Sequence, residues 1–277
     1  MLEILKSIVL GIIEGITEWL PISSTGHMIL VDEFLHLDGS AEFKELFFVV
    51  IQLGAILAVP VLFWSKLNPF EKGKSQDEKN KVLSLWSKVI VGIIPAGVIG
   101  VLFDDWLDEH FYNYVVVSLA LIIYGVLFIA VEKCKKNTKS DVYNVADVYD
   151  ISFKDAIKIG MFQVLSLIPG TSRSGSTIIG GMLSGVGRAA AAEFSFFMAI
   201  PIMLGASLLK IAKFIASGIA MTALELWCLV VGIIVSFLVS LFAIKFLMDF
   251  VKRRDFSPFG IYRIVLGVVV LLYFIIK

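Results

Sequence analysis

A chain of 277 residues that is 58% hydrophobic and 17% charged, with a mean hydropathy of +0.90, is too apolar for a water-soluble domain, whose apolar share stays near half. Its 24 Lys and Arg balance 24 Asp and Glu, which removes the electrostatic case for nucleic acid as a partner. Two cysteines, Cys134 and Cys228, make neither a disulfide framework nor a metal motif.

What remains is an integral membrane protein read as one domain, 1–277, embedded in a lipid bilayer. From the N-terminus, the apolar stretch at about 3–30 is interrupted by Pro21 and Gly26. It is not a signal peptide, because Glu14 and Glu18 fall where an uncharged core should be and no small-residue cleavage site follows. Runs of 18 or so apolar residues, enough to cross a bilayer, then follow at about 46–64, 86–103 and 114–131. A second interrupted stretch, 152–180, is broken by Pro169, Gly170 and Gly175, and three more spanning runs come at 189–209, 226–248 and 259–276. Broken helices survive at membrane depth only when they are buried in protein or line a cavity. The two interrupted stretches are therefore predicted to be re-entrant helical hairpins, and the fold is all-α with six transmembrane helices.

Charge sets the orientation. The stretch 65–88 carries six lysines, 132–158 another six, and Lys252, Arg253 and Arg254 follow the fifth span. Against these fifteen, the other side has Lys44, Lys210 and Lys213. By the positive-inside rule the fifteen are cytoplasmic, so the first hairpin enters from the extracytoplasmic face.

Sliding the chain along itself gives an ungapped match at an offset of 149: Gly11 with Gly160, Glu14 with Gln163, Ser23 with Ser172, Thr25 with Ser174, Gly26 with Gly175, Phe47 with Phe196 and Phe48 with Phe197. The first repeat is 1–131 and the second 150–277, each a hairpin followed by three spans. Three is odd, so the second half is inserted upside down, and two hairpins entering from opposite faces meet near the midplane. Their polar motifs should form one site.

Those motifs carry the chemistry. An intramembrane charge costs about 3 kcal/mol unless it faces protein or water, which makes it a functional candidate. Glu14 and Glu18 are one helical turn apart and share a face. Two such carboxylates share a proton or hold a cation between them, and a hard divalent ion such as Mg²⁺ or Ca²⁺, bound also by substrate oxygens, suits the pair. In Ser23-Ser24-Thr25-Gly26-His27, hydroxyls stand within a few residues of an imidazole able to take their proton. In Pro169-Gly170-Thr171-Ser172-Arg173-Ser174-Gly175, a glycine-containing turn opens a half-helix whose N–H groups and dipole favour an anion, with Arg173 adding a fork of donors for phosphate. Arg188 reads as an interfacial anchor outside the site.

The stretch EGITEWLPISSTGH (Glu14 to His27), FFVVIQLGA (Phe47 to Ala55), PGTSRSG (Pro169 to Gly175) and AAEFSFFMAIP (Ala191 to Pro201) together resemble the undecaprenyl-diphosphate phosphatase family, also called the bacitracin-resistance family, over essentially the whole chain. The resemblance implies hydrolysis of a C55 polyprenyl diphosphate lipid to the monophosphate carrier, which is reused in cell-wall assembly, in the inner membrane of a bacterial cell. It also implies Glu14, Glu18, Ser24, His27 and Arg173 as catalytic positions, with Ser23, Thr25, Ser172 and Ser174 in the phosphate pocket, to which the anion-favouring turn adds Gly170 and Thr171. The sequence leaves open whether Ser24 or a water is the nucleophile, and whether the chain forms a homodimer. A lipid flippase or ion-coupled transporter is the competing class, because inverted repeats with broken helices are also a transporter architecture.

Overall fold

The computed structural model describes residues 1–137 and 145–277. Lys139 of the basic stretch lies outside the described residues, as do the side chains of Lys135, Lys136, Asp104, Asp105 and Asp108. Eleven α-helices and no ladder of strands are seen among the described residues. Six helices are long and apolar enough to cross a membrane, one on each run predicted from the sequence: α3 (Ala41–Leu62), α5 (Gln76–Phe111), α6 (Tyr114–Asn137), α9 (Arg188–Ala216), α10 (Ala223–Arg253) and α11 (Ser257–Ile276). A single turn, α4 (Trp64–Leu67), follows α3.

The interrupted stretches form two pairs of shorter helices, α1 (Leu2–Thr17) with α2 (Ser24–Leu35), and α7 (Phe153–Val164) with α8 (Arg173–Leu183). Both breaks have the same local causes. Proline pushes the residue before it towards extended backbone, and Ile168, ahead of Pro169, sits at φ −78°, ψ 118°. The next helix is then started by a serine at positive φ, Ser23 at 72° and Ser172 at 70°, a region costly for non-glycine residues. Each serine side chain compensates by capping its helix: Ser23 Oγ accepts from the Gly26 N–H at 3.3 Å, and Ser172 Oγ from Gly175 at 3.1 Å. Such a cap is worth about 1 kcal/mol.

Helices pack closely where glycine removes the side chain. α10 lies along α1 and α3, α5 along α7, and α11 along α6. A Cβ placed on Gly54 would lie 2.1 Å from the Ile233 carbonyl oxygen of α10, and one on Gly160 would lie 2.1 Å from that of Gly92 on α5. In lipid, where tails are as apolar as leucine, this backbone-to-backbone contact supplies the packing that draws helices together. Large buried side chains fill the space between the breaks and α9, with Trp19 meeting Phe196 edge-on at 5.1 Å.

The Gly54 contact gives a direct test of packing. Gly54→Ala forces two helix backbones apart and is expected to lower stability by about 2 kcal/mol or more, the scale of overpacked cores. Gly205→Ala, at a helical position with nothing within 4 Å, should be neutral or slightly stabilising. Thermal unfolding of the two variants in detergent checks the contrast.

Candidate active site

The two breaks lie side by side and are stitched together. Ser174 Oγ, at the start of α8, donates to the carbonyls of Glu18 (3.1 Å) and Leu20 (3.4 Å) in the first break. Arg263 of α11, fully buried, donates from Nη1 to the Pro21 carbonyl (3.2 Å) and from Nη2 to those of Gly170 and Thr171 (2.9 Å each). Gly170 needs its freedom here: its φ is 94°, and a Cβ would lie 2.6 Å from the Val117 carbonyl oxygen.

This brings Glu18 and Arg173 together. Glu18 ends the first turn of broken backbone, and one of its oxygens accepts from Arg173 Nη2 at 2.9 Å while the other accepts from Ser24 Oγ at 3.0 Å. The guanidinium is held from behind by the Ser195 carbonyl (2.8 Å) and lies over the Trp19 ring at 5.7 Å. Ser195 in turn is fixed by Thr177, whose hydroxyl donates to Ser195 Oγ at 2.6 Å. Removing one partner from so buried an ion pair costs about 3–5 kcal/mol.

Glu14 is 1% exposed. Its carboxyl neighbours that of Glu18, and its Oε1 has no hydrogen-bond partner among the described residues. Glu14, Ser24 and Thr25 line a cavity of about 680 Å³ that also takes in Gln52 and the ion-paired Glu45 and Lys210. A buried carboxylate oxygen facing a polar cavity calls for a proton, a water or a cation. Among the described residues no three His, Cys, Asp or Glu side chains are grouped to hold a metal. The donor set therefore suits an ion that takes most of its shell from water and substrate oxygens, not one caged by protein.

The other candidates divide by task. Thr171 is buried and donates to the Leu165 and Ile168 carbonyls, closing the second break. Ser23 and Ser172 are helix caps, and Ser172 Oγ also lies 3.2 Å from Ser174 Oγ. His27 does not meet Ser24: its Nδ1 lies 2.7 Å from the Ser23 carbonyl and its Nε2 lies 2.7 Å from the Tyr262 hydroxyl. Arg188 is more than an anchor. Its guanidinium is bidentate on the buried Glu132, which also accepts the Phe256 N–H at 3.0 Å and so ties α6, α9 and the start of α11 together.

Sequence reasoning missed Arg263, Tyr262, Ser195 and Trp19. For Arg263 a signal was present, a cation inside an apolar run, which demands a partner at depth. Trp19 and Ser195 stand inside the family-like stretches Glu14 to His27 and Ala191 to Pro201, but what each does is visible only in its contact with Arg173, distant in the chain.

The geometry accords with what the chain is similar to. Residues 7–269 match the family described as bacitracin resistance protein BacA. Relatives named undecaprenyl-diphosphatase include one from Enterococcus faecalis, 59% identical over 98% of this chain and 97% of its own length. Another, from Acetivibrio thermocellus, is 56% identical over 99% of both chains, and one from Streptococcus mutans serotype c is 54% identical over 99% of this chain and 97% of its own. Matched across nearly its whole length, and more than half identical to these relatives, this chain belongs to the bacitracin resistance protein BacA family.

Proposed function

We propose that this chain hydrolyses undecaprenyl diphosphate to undecaprenyl phosphate and inorganic phosphate, returning the lipid carrier to cell-wall assembly and so conferring resistance to bacitracin. The observation that carries the reading is the Ser24–Glu18–Arg173 chain, in which one carboxylate holds a hydroxyl on one oxygen and a guanidinium on the other. Phosphoryl transfer asks for little else: a positioned nucleophile, a proton acceptor and a cation for the charge spread over the transferring group.

Arg173, braced by Ser195, offers its fork to the phosphate oxygens. The nucleophile, Ser24 Oγ or a water bonded there, attacks the terminal phosphorus as the bond to the bridging oxygen breaks, and the lipid monophosphate leaves. Glu18 lies within hydrogen-bond reach of the Ser24 proton, and His27 takes or returns a proton from its place one helical turn along. Glu14, whose Oε1 is without a hydrogen-bond partner among the described residues, would hold a divalent cation together with Glu18. When bound, it neutralises charge on the diphosphate.

The inverted-repeat arrangement, with 1–131 and 150–277 as its halves and the α1–α2 and α7–α8 pairs as re-entrant hairpins, belongs to the same proposal. It is supported by positions 149 apart that share local structure: Ser23 and Ser172 have nearly the same φ and both cap a helix. Gly11 and Gly160 each face a glycine carbonyl, of Gly232 and Gly92. The extracytoplasmic opening of the site is supported by the charge asymmetry between the two sides.

Three measurements test this reading. Phosphate release from undecaprenyl diphosphate by purified protein in detergent, where no compartments exist for transport, is expected, and Ser24→Ala should bring it near background with substrate still bound. A loss of only about 10²–10³-fold would assign attack to water with Ser24 as a donor. Ser23→Ala, which removes a helix cap, should keep far more activity than Ser24→Ala.

Arg173→Lys keeps the charge but cannot reach Ser195 and a phosphate at once. Turnover should fall at least about tenfold, or 1.4 kcal/mol of barrier, in a folded protein. Near wild-type hydrolysis by this variant would take Arg173 out of the chemistry.

For orientation, Asn113→Cys should react with an impermeant thiol reagent in intact cells, and the exposed Cys134 only after lysis. Reversed labelling would turn the first hairpin towards the cytoplasm.

A further inference from the structure

His27 has two ring nitrogens, and α2 and α11 give each a different partner. The Ser23 carbonyl at Nδ1 can only accept, so Nδ1 carries a hydrogen. In the neutral ring Nε2 is then the lone-pair nitrogen, and the Tyr262 hydroxyl donates to it at 2.7 Å. The two rings lie almost parallel, 7° apart with centroids at 5.6 Å. Tyr262 is 235 positions away in the chain. Its register is set by its neighbour, because Arg263 turns inward to grip the Pro21, Gly170 and Thr171 carbonyls. About 100° round the helix, Tyr262 faces outward at 45% exposure, beside Ile261 and Val265 at 56% each. On such an apolar face water is scarce, and a phenol takes the place water would have had at the imidazole.

We propose that Tyr262 is a positioning residue for the reaction, its hydroxyl fixing His27 as the Nδ1–H tautomer with Nε2 as the proton-accepting nitrogen. The proposal rests on the reading of His27 as the group that takes or returns a proton. A phenol suits the role because it both donates and accepts. It donates to Nε2 of the neutral ring; as a proton released by the nucleophile binds Nε2 the O–H turns away, and the phenol oxygen then accepts from the new Nε2–H until that proton passes to the departing phosphate oxygen. The imidazole therefore keeps one orientation through the cycle. A tyrosine present only for packing would use its ring alone, and phenylalanine would serve equally well.

Tyr262→Phe separates the two roles by keeping the ring stack and removing the oxygen. With undecaprenyl diphosphate in detergent, kcat is expected to fall about tenfold or more while KM stays within about twofold and the melting temperature holds. In a His27→Gln background the same change should cost less than about twofold, since residues acting as a unit are not additive. Imidazole ¹⁵N NMR supplies a readout independent of turnover: Nε2 of His27 should shift in Tyr262→Phe while Nδ1, still on the Ser23 carbonyl, stays in place. Wild-type kcat in Tyr262→Phe, an equal penalty in both backgrounds, or an unmoved Nε2 resonance would each overturn the proposal. Full activity in His27→Gln alone would remove His27 from the chemistry and Tyr262 with it. Phosphate release by the wild-type chain tests the phosphatase reading separately.

Discussion

Everything in this fold depends on satisfying broken backbone where water is scarce. A helix interrupted inside a bilayer leaves carbonyls and N–H groups without partners, each costing several kcal/mol in hydrocarbon. At the breaks the carbonyls of Leu20, Leu165 and Ile168 receive local backbone N–H bonds, and three side chains, Ser174, Thr171 and Arg263, bond to these and to the carbonyls of Glu18, Pro21, Gly170 and Thr171. Arg263 matters most, because its bonds go to both breaks and fix one against the other. Its partners are carbonyl dipoles, which suits a guanidinium with several donors in one plane.

That requirement divides the hydroxyls. Six hydroxyl residues cluster around the breaks, yet most spend their hydrogen bonds on the protein itself. Ser23 and Ser172 hold helix starts, while Thr171 and Ser174 hold carbonyls. Ser24 and Thr25 line the cavity. The candidate residues are unevenly divided: Glu14, Glu18, Ser24 and His27 stand at the first break and Arg173 at the second. Capping is needed at both breaks, and Ser23 and Ser172 supply it in the same way.

The spans were legible because length and apolarity decide them, and the breaks because proline and glycine mark them. The helix ends were not. α5 runs on from the apolar stretch 86–103 to Gln76 and Phe111, since a helix leaving the bilayer can continue in polar sequence at no loss of backbone bonding. The site was legible as a set of residues but not as a set of pairs. Ser24 and His27, three apart, suggest a hydroxyl on an imidazole. The structure turns the ring back onto the carbonyl four residues before it, at the open start of α2, and gives the hydroxyl to Glu18. Whether an imidazole finds a hydroxyl or a carbonyl is settled by helix-end geometry, which spacing does not encode. Tyr262 and Arg263 lay in what reads as an ordinary last span, their partners more than ninety residues away.

Glu18 holds the remaining tension. One of its oxygens is paired with Arg173 while the other holds the Ser24 hydroxyl. Under the proposed chemistry, an arriving diphosphate competes for the same guanidinium with more charge and more oxygens, and a fork bonds a phosphate as readily as a carboxylate. As Arg173 turns to the phosphate, Glu18 keeps its bond to Ser24 through the other oxygen. Substrate binding is then coupled to a change of partners at the residue that holds the Ser24 hydroxyl. The same exchange accounts for the brace behind Arg173: with Nη1 held on the Ser195 carbonyl, and the Ser195 hydroxyl held by Thr177, the guanidinium can change partners at its outer edge without leaving the site.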